Sequence, residues 1–237
     1  LGPIYPVHAF DPATGEPVID PVTGKQYFDY GLQPGAISRP NGASPGRHVI
    51  YETILNPTDN ARMLLGGRGY MEVNFLKYFT FTPSVSIDLS NQNNEYAWSN
   101  IVGDGASYGG LSSVTNTIVK SYTFNQILNY KRSFGLHNLS ALVGHENYDF
   151  VKKGRGATKN GQIVADNPEL VNYVSNYLTG GQKDVNHLES YFAKASYNLD
   201  EKYFIDASVR RDGSSIFHPD HRWGTFFSVG GSWQLAK

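Results

Sequence analysis

Apolar and polar residues alternate along several stretches of this chain, most clearly between Glu189 and Leu235. Tyr191, Ala193, Ala195 and Tyr197 fall on one side of an extended strand, with Ser190, Lys194, Ser196 and Asn198 opposite. Tyr203, Ile205, Ala207 and Val209 oppose Asp206, Ser208 and Arg210 in the next run. In a third, Phe227, Val229, Trp233 and Leu235 oppose Ser228, Ser232 and Gln234. Such alternation marks a strand with one apolar and one polar side. The same period recurs upstream at Met71, Val73 and Phe75, at Phe81, Val85, Ile87 and Leu89, at Tyr122, Phe124, Leu128 and Tyr130, and at Leu139, Ala141 and Val143. Pro83 sits on the apolar side of its run, an awkward place for a ladder. The pattern predicts an all-β, antiparallel chain of about seven strands.

The connections between these runs alternate in length. Short turns are expected at 76–78, 131–138 and 199–202, and long loops at 1–60, 91–116 and 151–185, with an intermediate loop at 212–222. An outer-membrane barrel places short turns on the periplasmic side and long loops outside, whereas a soluble β-sandwich has no reason to do so. The expectation is therefore a transmembrane β-barrel fragment with long extracellular loops, divided into a loop region, 1–60, and partial barrel wall, 61–237. The competing expectations are a soluble glycan-binding β-sandwich and a passive porin-like barrel. Gly31 to Pro57, which carries Pro34, Pro40, Pro45 and Pro57, is expected to hold neither helix nor central strand. A short helix is expected over 167–178, with Pro168 in its first turn. Two DPxTG units, from Asp11 and Asp20, read as successive tight turns; the acidic spacing of a calcium loop is absent.

Composition narrows the function. Lys and Arg number 20 against 21 Asp and Glu, so the chain lacks the basic footprint of a nucleic-acid binder. With no cysteine, disulfides and cysteine-based zinc sites are excluded. No apolar run approaches the ~18–20 residues of a membrane helix. A barrel strand needs only about 9–11 residues and signals itself by alternation alone. The chain opens on Leu1 and is read as a piece of a longer protein.

The segment Arg210-Arg211-Asp212-Gly213-Ser214-Ser215, followed by Phe217, Pro219-Asp220, Arg222-Trp223-Gly224, Phe227-Ser228, Gly230 and Ser232-Trp233, resembles the barrel signature of SusC/RagA-type TonB-dependent outer-membrane transporters. Ser190-Tyr191-Phe192-Ala193, the Phe134–Leu139 turn with Ala141–Gly144, and Asn74-Phe75-Leu76-Lys77 extend the resemblance over most of 61–237. Ile216, His218 and His221 depart from the family's loop pattern and bear on substrate preference. The family's plug domain and TonB-interacting segment are not in this sequence. The resemblance implies import of an oligosaccharide or oligopeptide, a SusD-like surface lipoprotein as partner, a TonB complex acting through the absent N-terminal part, and outer-membrane lipid around the wall. It implies neither cofactor nor enzymatic step.

Candidate contacts with substrate are the loop aromatics Tyr96, Trp98 and Tyr108, and the rim residues Arg210, Asp212, His218 and Trp223. Aromatic side chains on loops can stack on sugars or peptides, and residues lining a barrel tune its selectivity. Arg210, Arg211 and Asp212 are expected to form one charge network. The four glycines of 103–110 lack the strand–glycine–helix context of a phosphate loop, and no G-x-S-x-G elbow accompanies the serines. His218 and His221 have metal-ligand spacing without a defined third ligand, so no metal is assigned.

Overall fold

The computed structural model describes residues 5–37, 39–40 and 43–235. It contains one helix of more than a single turn, α1 (Val49–Leu55), and eight strands: β1 (Thr58–Tyr70), β2 (Val73–Phe75), β3 (Phe79–Trp98), β4 (Leu111–Phe134), β5 (His137–Gln162), β6 (Tyr173–Leu199), β7 (Tyr203–Ser214) and β8 (Trp223–Trp233). They form one sheet in the order β1-β3-β4-β5-β6-β7-β8, with the short β2 also paired to β3. Six of the seven expected strands are present as β3 to β8; β1 is an addition, and the expected strand through Met71, Val73 and Phe75 is reduced to the short β2. Strand β2 exists because the ladder breaks at residues 71–72, opposite Pro83, whose carbonyl accepts from the Met71 N–H at 3.1 Å. The proline's missing N–H therefore falls at a gap in pairing.

The described residues group into two compact units. The first comprises the chain up to Arg62 with Gln92–Asn116 and Gly154–Gly181; the second comprises Met63–Asn91, Thr117–Lys153 and the chain from Gln182 onward.

In the second unit the ladders show what the alternation does. Tyr191 pairs with Arg211, Ala193 with Val209, Ala195 with Ala207 and Tyr197 with Ile205. On the other edge of β7, Ile205 pairs with Gly231, Ala207 with Val229 and Val209 with Phe227. Residues paired across an antiparallel ladder share a face. One face of β6–β8 is therefore apolar, and it lies open: Phe227 is 83% exposed and Val229 77%. The opposite face carries hydrogen bonds from Ser196 to Asp206 and between Ser208 and Ser228, the latter at 2.8 Å. A sandwich would bury its apolar faces against each other; this sheet does not.

The hairpin ends are tight. Gly135, in left-handed backbone at φ 60°, turns β4 into β5 with Leu136, so the turn is shorter than the expected 131–138. Leu76, Lys77, Asp200 and Glu201 adopt the same left-handed region without being glycine. Asn198 supports the last turn by accepting from the Glu201 N–H at 2.7 Å.

The first unit corrects three expectations. β3 to β6 run for 20 to 27 residues, so the expected loops at 91–116 and 151–185 shrink to 99–110 and 163–172. Stretches of these extensions, such as Asn91–Asn94 and Lys152–Lys159, are polar on both sides and give no alternation. The expected helix over 167–178 is absent: Leu170–Asn172 is one 3-10 turn and Tyr173 begins β6. The Asn172 side chain holds the loop instead, accepting from the Val164 N–H at 3.0 Å and donating to the carbonyls of Val164 and Asn167 at 2.7 and 2.8 Å. Conversely, α1 forms inside the Pro-rich stretch, between Pro45 and Pro57. His48 accepts from the Tyr51 N–H at 3.2 Å while Glu52 accepts from the His48 N–H at 3.1 Å, a reciprocal cap.

The two DPxTG units are turns, and each is closed by its own aspartate. Asp11 accepts from the Ala13 N–H at 2.8 Å and Asp20 from the Val22 N–H at 2.9 Å. The Thr23 hydroxyl also donates to Asp20 at 2.6 Å. These bonds hold the Asp20 carboxyl below its ordinary value, the Thr23 hydroxyl contributing most and the Val22 amide next. A third, degenerate unit follows. Ala9, Val18 and Tyr27 are joined in a ring: Val18 N–H to Ala9 O at 3.0 Å, Tyr27 N–H to Val18 O at 3.0 Å, and Ala9 N–H to Tyr27 O at 2.8 Å. The third aspartate, Asp29, is turned inward and pairs with Arg39 at 2.8 Å; the two side chains are 0% and 2% exposed. Arg39 also donates to the carbonyls of Ser44 and Arg47 at 3.0 and 2.8 Å. Phe28 stacks on Tyr51 of α1 at 4.1 Å.

Candidate functional site

The sequence candidates fall into two groups that belong to different units. In the first unit, Tyr96 and Trp98 are residues of β3, and neither lies on a loop. They share one face, as alternate residues must, and their rings are 6.0 Å apart. The Tyr96 hydroxyl donates to Asn60 Oδ1 at 3.1 Å, so that ring is tied to β1. Tyr108 does sit on the 99–110 loop, in a 3-10 turn, edge-on to Tyr177 at 5.4 Å. Contact with Tyr177 raises the Tyr108 pKa and keeps it a neutral phenol. The loop itself is anchored: Arg47 pairs with Asp104 and with Glu52, the Gly103 N–H donates to Gly46 O at 2.9 Å, and Val102 is fully buried.

In the second unit, Arg210 and Asp212 lie on the polar face of β7. Arg210 Nε donates to Asp212 Oδ1 at 2.7 Å. Its Nη2 reaches Glu146 Oε1 at 3.4 Å and the Ser190 hydroxyl at 3.0 Å, and its guanidinium lies 5.5 Å from the Phe192 ring centroid. Arg211 is not part of this network, contrary to expectation. The strand period turns it to the apolar face, where it lies 5.2 Å from the Trp223 ring. Trp223 is on that face too, paired opposite Gly213 and stacked with Tyr191 at 6.1 Å. The register thus places Trp223 and the Arg210–Asp212 pair on opposite sides of the sheet. His218 caps the 3-10 turn Pro219–His221 and is exposed, 3.4 Å from Asp220. Among the described residues no group of three or more His, Asp or Glu is gathered closely enough to hold a metal ion.

Glu146 and Ser190 are the residues that reasoning from sequence left out of this network. The usable signal was parity: both fall on the polar side of their strands, Ser190 on β6 beside β7 and Glu146 on β5, one strand further. Tyr173 carried no such signal, because its burial depends on the fold of the 163–172 loop.

Two rows of aromatics border the open apolar face. At the short-turn end Phe79 meets Tyr130 at 5.0 Å, Phe134 stacks on His137 at 5.4 Å, and Tyr203 stacks on Trp233 at 6.1 Å. Arg132 and Lys202 lie over rings in this row, 5.0 Å from Tyr78 and 5.8 Å from Tyr203. At the other end His145, Tyr191 and Trp223 stack in sequence, at 4.7 and 6.1 Å.

No family model matches the chain. Among curated proteins it is 28% identical over 135 residues to the TonB-dependent receptor SusC of Bacteroides thetaiotaomicron, an alignment covering 56% of this chain and 13% of that one. It is 30% identical over 141 residues to the TonB-dependent receptor P3 of Formosa agariphila, covering 56% of this chain and 14% of the relative. The TonB-dependent receptor P26 of the same organism matches at 22% identity over 203 residues, covering 82% of this chain and 20% of that one. Among solved structures, the RagAB peptide transporter superposes with a TM-score of 0.76 at 24% identity, over 90% of this chain and 24% of that one. The chain thus spans 13 to 20% of the length of the curated relatives it matches. In sequence the chain is thus similar to TonB-dependent receptors such as SusC, and in fold it matches part of the RagAB peptide transporter.

Proposed function

We propose that this chain supplies barrel wall and extracellular loops to an importer that carries a nutrient oligosaccharide or oligopeptide across the bacterial outer membrane. The two-sided sheet between its aromatic rows carries the proposal. From Tyr203 to Gly213, the positions paired with Trp233 and Trp223, β7 rises about 33 Å. Tilted by about 40°, that run spans roughly 25 Å, the height of the apolar band in outer-membrane barrels. Lipid would cover Ile205, Val209, Phe227 and Val229; the aromatic rows would sit at the two interfaces. Arg132 and Lys202 would reach headgroups at the short-turn side.

The polar face would line the interior, where Arg210, Asp212 and Glu146 present charge to substrate or plug. Residues 5–57 and the 99–110 and 163–172 loops would lie outside the cell, with His218 at the same rim. A SusD-like surface lipoprotein would hold the substrate over them, and a TonB complex would act through a part of the protein beyond this chain. The work would be binding and gating, with no covalent step. A passive porin-like wall would use the same sheet, and the two differ in their need for energy.

Uptake of labelled oligosaccharides and oligopeptides by cells carrying the intact transporter tests this. The proposal expects uptake that stops when the inner-membrane proton gradient is collapsed. Uptake that survives the collapse supports a passive pore, and a protein recovered from the aqueous fraction contradicts the membrane reading.

A further inference from the structure

Cross-strand contacts bring three lysines of the second unit together. Between β5 and β6, His145 stacks on Tyr191 at 4.7 Å and Asp149 bonds to His187. Four residues further along each strand, that register sets Lys153 opposite Lys183. The register continues unbroken to Gly181, where a Cβ would come 3.9 Å from the Cα of Arg155. Between β4 and β5, Phe134 stacks on His137, and Ser113 bonds to Thr158 at 2.9 Å. The register common to both contacts sets Lys120 opposite Val151, diagonal to Lys153.

Parity along each strand places the three lysines on the face of Tyr122, Phe124, His145 and Tyr191, and all three are exposed. Like charges opposite one another in a ladder are destabilising, so this arrangement calls for an anion. Among the described residues none of the three lysines forms an ion pair. The acids of this face are already engaged. Glu189 accepts from the Tyr191 hydroxyl at 2.6 Å and lies 3.3 Å from His145, and Asp149 is held by His187. Lys152 and Asp184 have the opposite parity and belong to the other face.

Height along the wall selects the kind of anion. Lys183 lies eight residues beyond Tyr191 of the long-loop aromatic row. At about 3.3 Å per residue and a tilt of about 40°, that places it roughly 20 Å beyond the row along the membrane normal. Lys120, opposite Val151, lies roughly 15 Å beyond it by the same measure. The polar layer of a phospholipid bilayer is only about 5–8 Å deep on each side. A phospholipid headgroup therefore stops short of these lysines, and an anion that meets them must stand taller, on a saccharide.

We infer that Lys120, Lys153 and Lys183 bind the phosphorylated saccharide headgroup of an outer-leaflet glycolipid of the lipopolysaccharide class. Ladder spacing sets the lysine Cβ atoms about 5–8 Å apart, close enough for the three ammonium groups to share phosphates on neighbouring sugars. Arg211, beside Trp223 on the same face at 5.2 Å, meets the phosphate nearest the acyl chains. Those chains lie below the row, on the exposed Val143. The inference rests on the lipid-facing reading of this face and not on import.

The test is titration of the intact transporter in detergent micelles with fluorescent lipopolysaccharide. Dephosphorylated lipopolysaccharide, phosphatidylglycerol and dextran sulfate serve as contrasts. The inference expects lipopolysaccharide to bind tightest and to weaken as salt rises. K120Q, K153Q and K183Q should each weaken binding about fivefold, and the triple variant about a hundredfold. K152Q, on the other face, should leave it unchanged. Unaltered affinity in the triple variant overturns the inference, and so does equally tight binding of any contrast. Insertion into lipid vesicles is scored on the same samples. A transporter that inserts but fails these criteria loses the glycolipid site and keeps its lipid-facing wall. One that stays in the aqueous fraction loses both.

Discussion

Phe192 lies against the backbone of Gly144: a Cβ placed on Gly144 would come within 2.2 Å of Phe192 Cζ and 2.3 Å of Cε2. The contact is on the polar face of the sheet, and the same ring lies under the Arg210 guanidinium. The missing side chain at 144 is what lets Phe192 lie flat and Arg210 reach Glu146. G144A should displace the ring and cost about 1–3 kcal/mol, as overpacking does. Thermal unfolding in micelles measures this, and adding F192A to G144A should recover part of the loss.

The faces of β8 should respond oppositely to charge. Val229 is paired with Ala207 near the middle of the apolar band, and Ser228 with Ser208 on the other face. V229R should cost about 2–4 kcal/mol of folding free energy in a bilayer, the figure for arginine at the midplane. S228R should cost far less. Unfolding in lipid vesicles compares the two; equal costs would mean the faces are misassigned.

The Arg39–Asp29 pair should be the strongest electrostatic contact of the first unit. R39A removes the guanidinium from a buried carboxylate and from the Ser44 and Arg47 carbonyls, which should cost about 3–5 kcal/mol. Hydrogen exchange should show the loss within residues 5–47 and leave β7 and β8 unchanged. The Arg210–Asp212 pair is far more exposed, and a double-mutant cycle should give it under about 1 kcal/mol.

The Asp20 turn should open in acid. Its carboxyl is depressed in the folded chain, so its contribution is present above the unfolded carboxylate range and is lost as pH falls through the lower folded value. Protection of the Val22 amide should therefore persist to more acid pH than an ordinary carboxylate allows, then vanish. D20A should remove it at every pH.

The faces of β6, β7 and β8 were legible residue by residue, because one side of those strands is apolar and parity assigns each position. The outer halves of β3 to β6 were not. Stretches such as Asn91–Asn94 and Lys152–Lys159 are polar on both sides, and backbone pairing alone makes them strands. The third turn unit was hidden because Asp29 lacks the Pro-x-Thr-Gly that follows Asp11 and Asp20. Parity would have separated Arg210 from Arg211, which adjacency in sequence had joined. The burial of Tyr173 depends on a loop held by one asparagine amide, a relation no local pattern carries.

The most direct measurement is site-directed spin labelling along β8 in lipid vesicles, since a chain with no cysteine accepts single labels cleanly. With labels at 225 to 231, the odd positions should be accessible to dissolved oxygen and shielded from a water-soluble nickel complex, and the even positions should show low oxygen access. An absence of alternation, or nickel access at Phe227 and Val229, would contradict a lipid-facing wall.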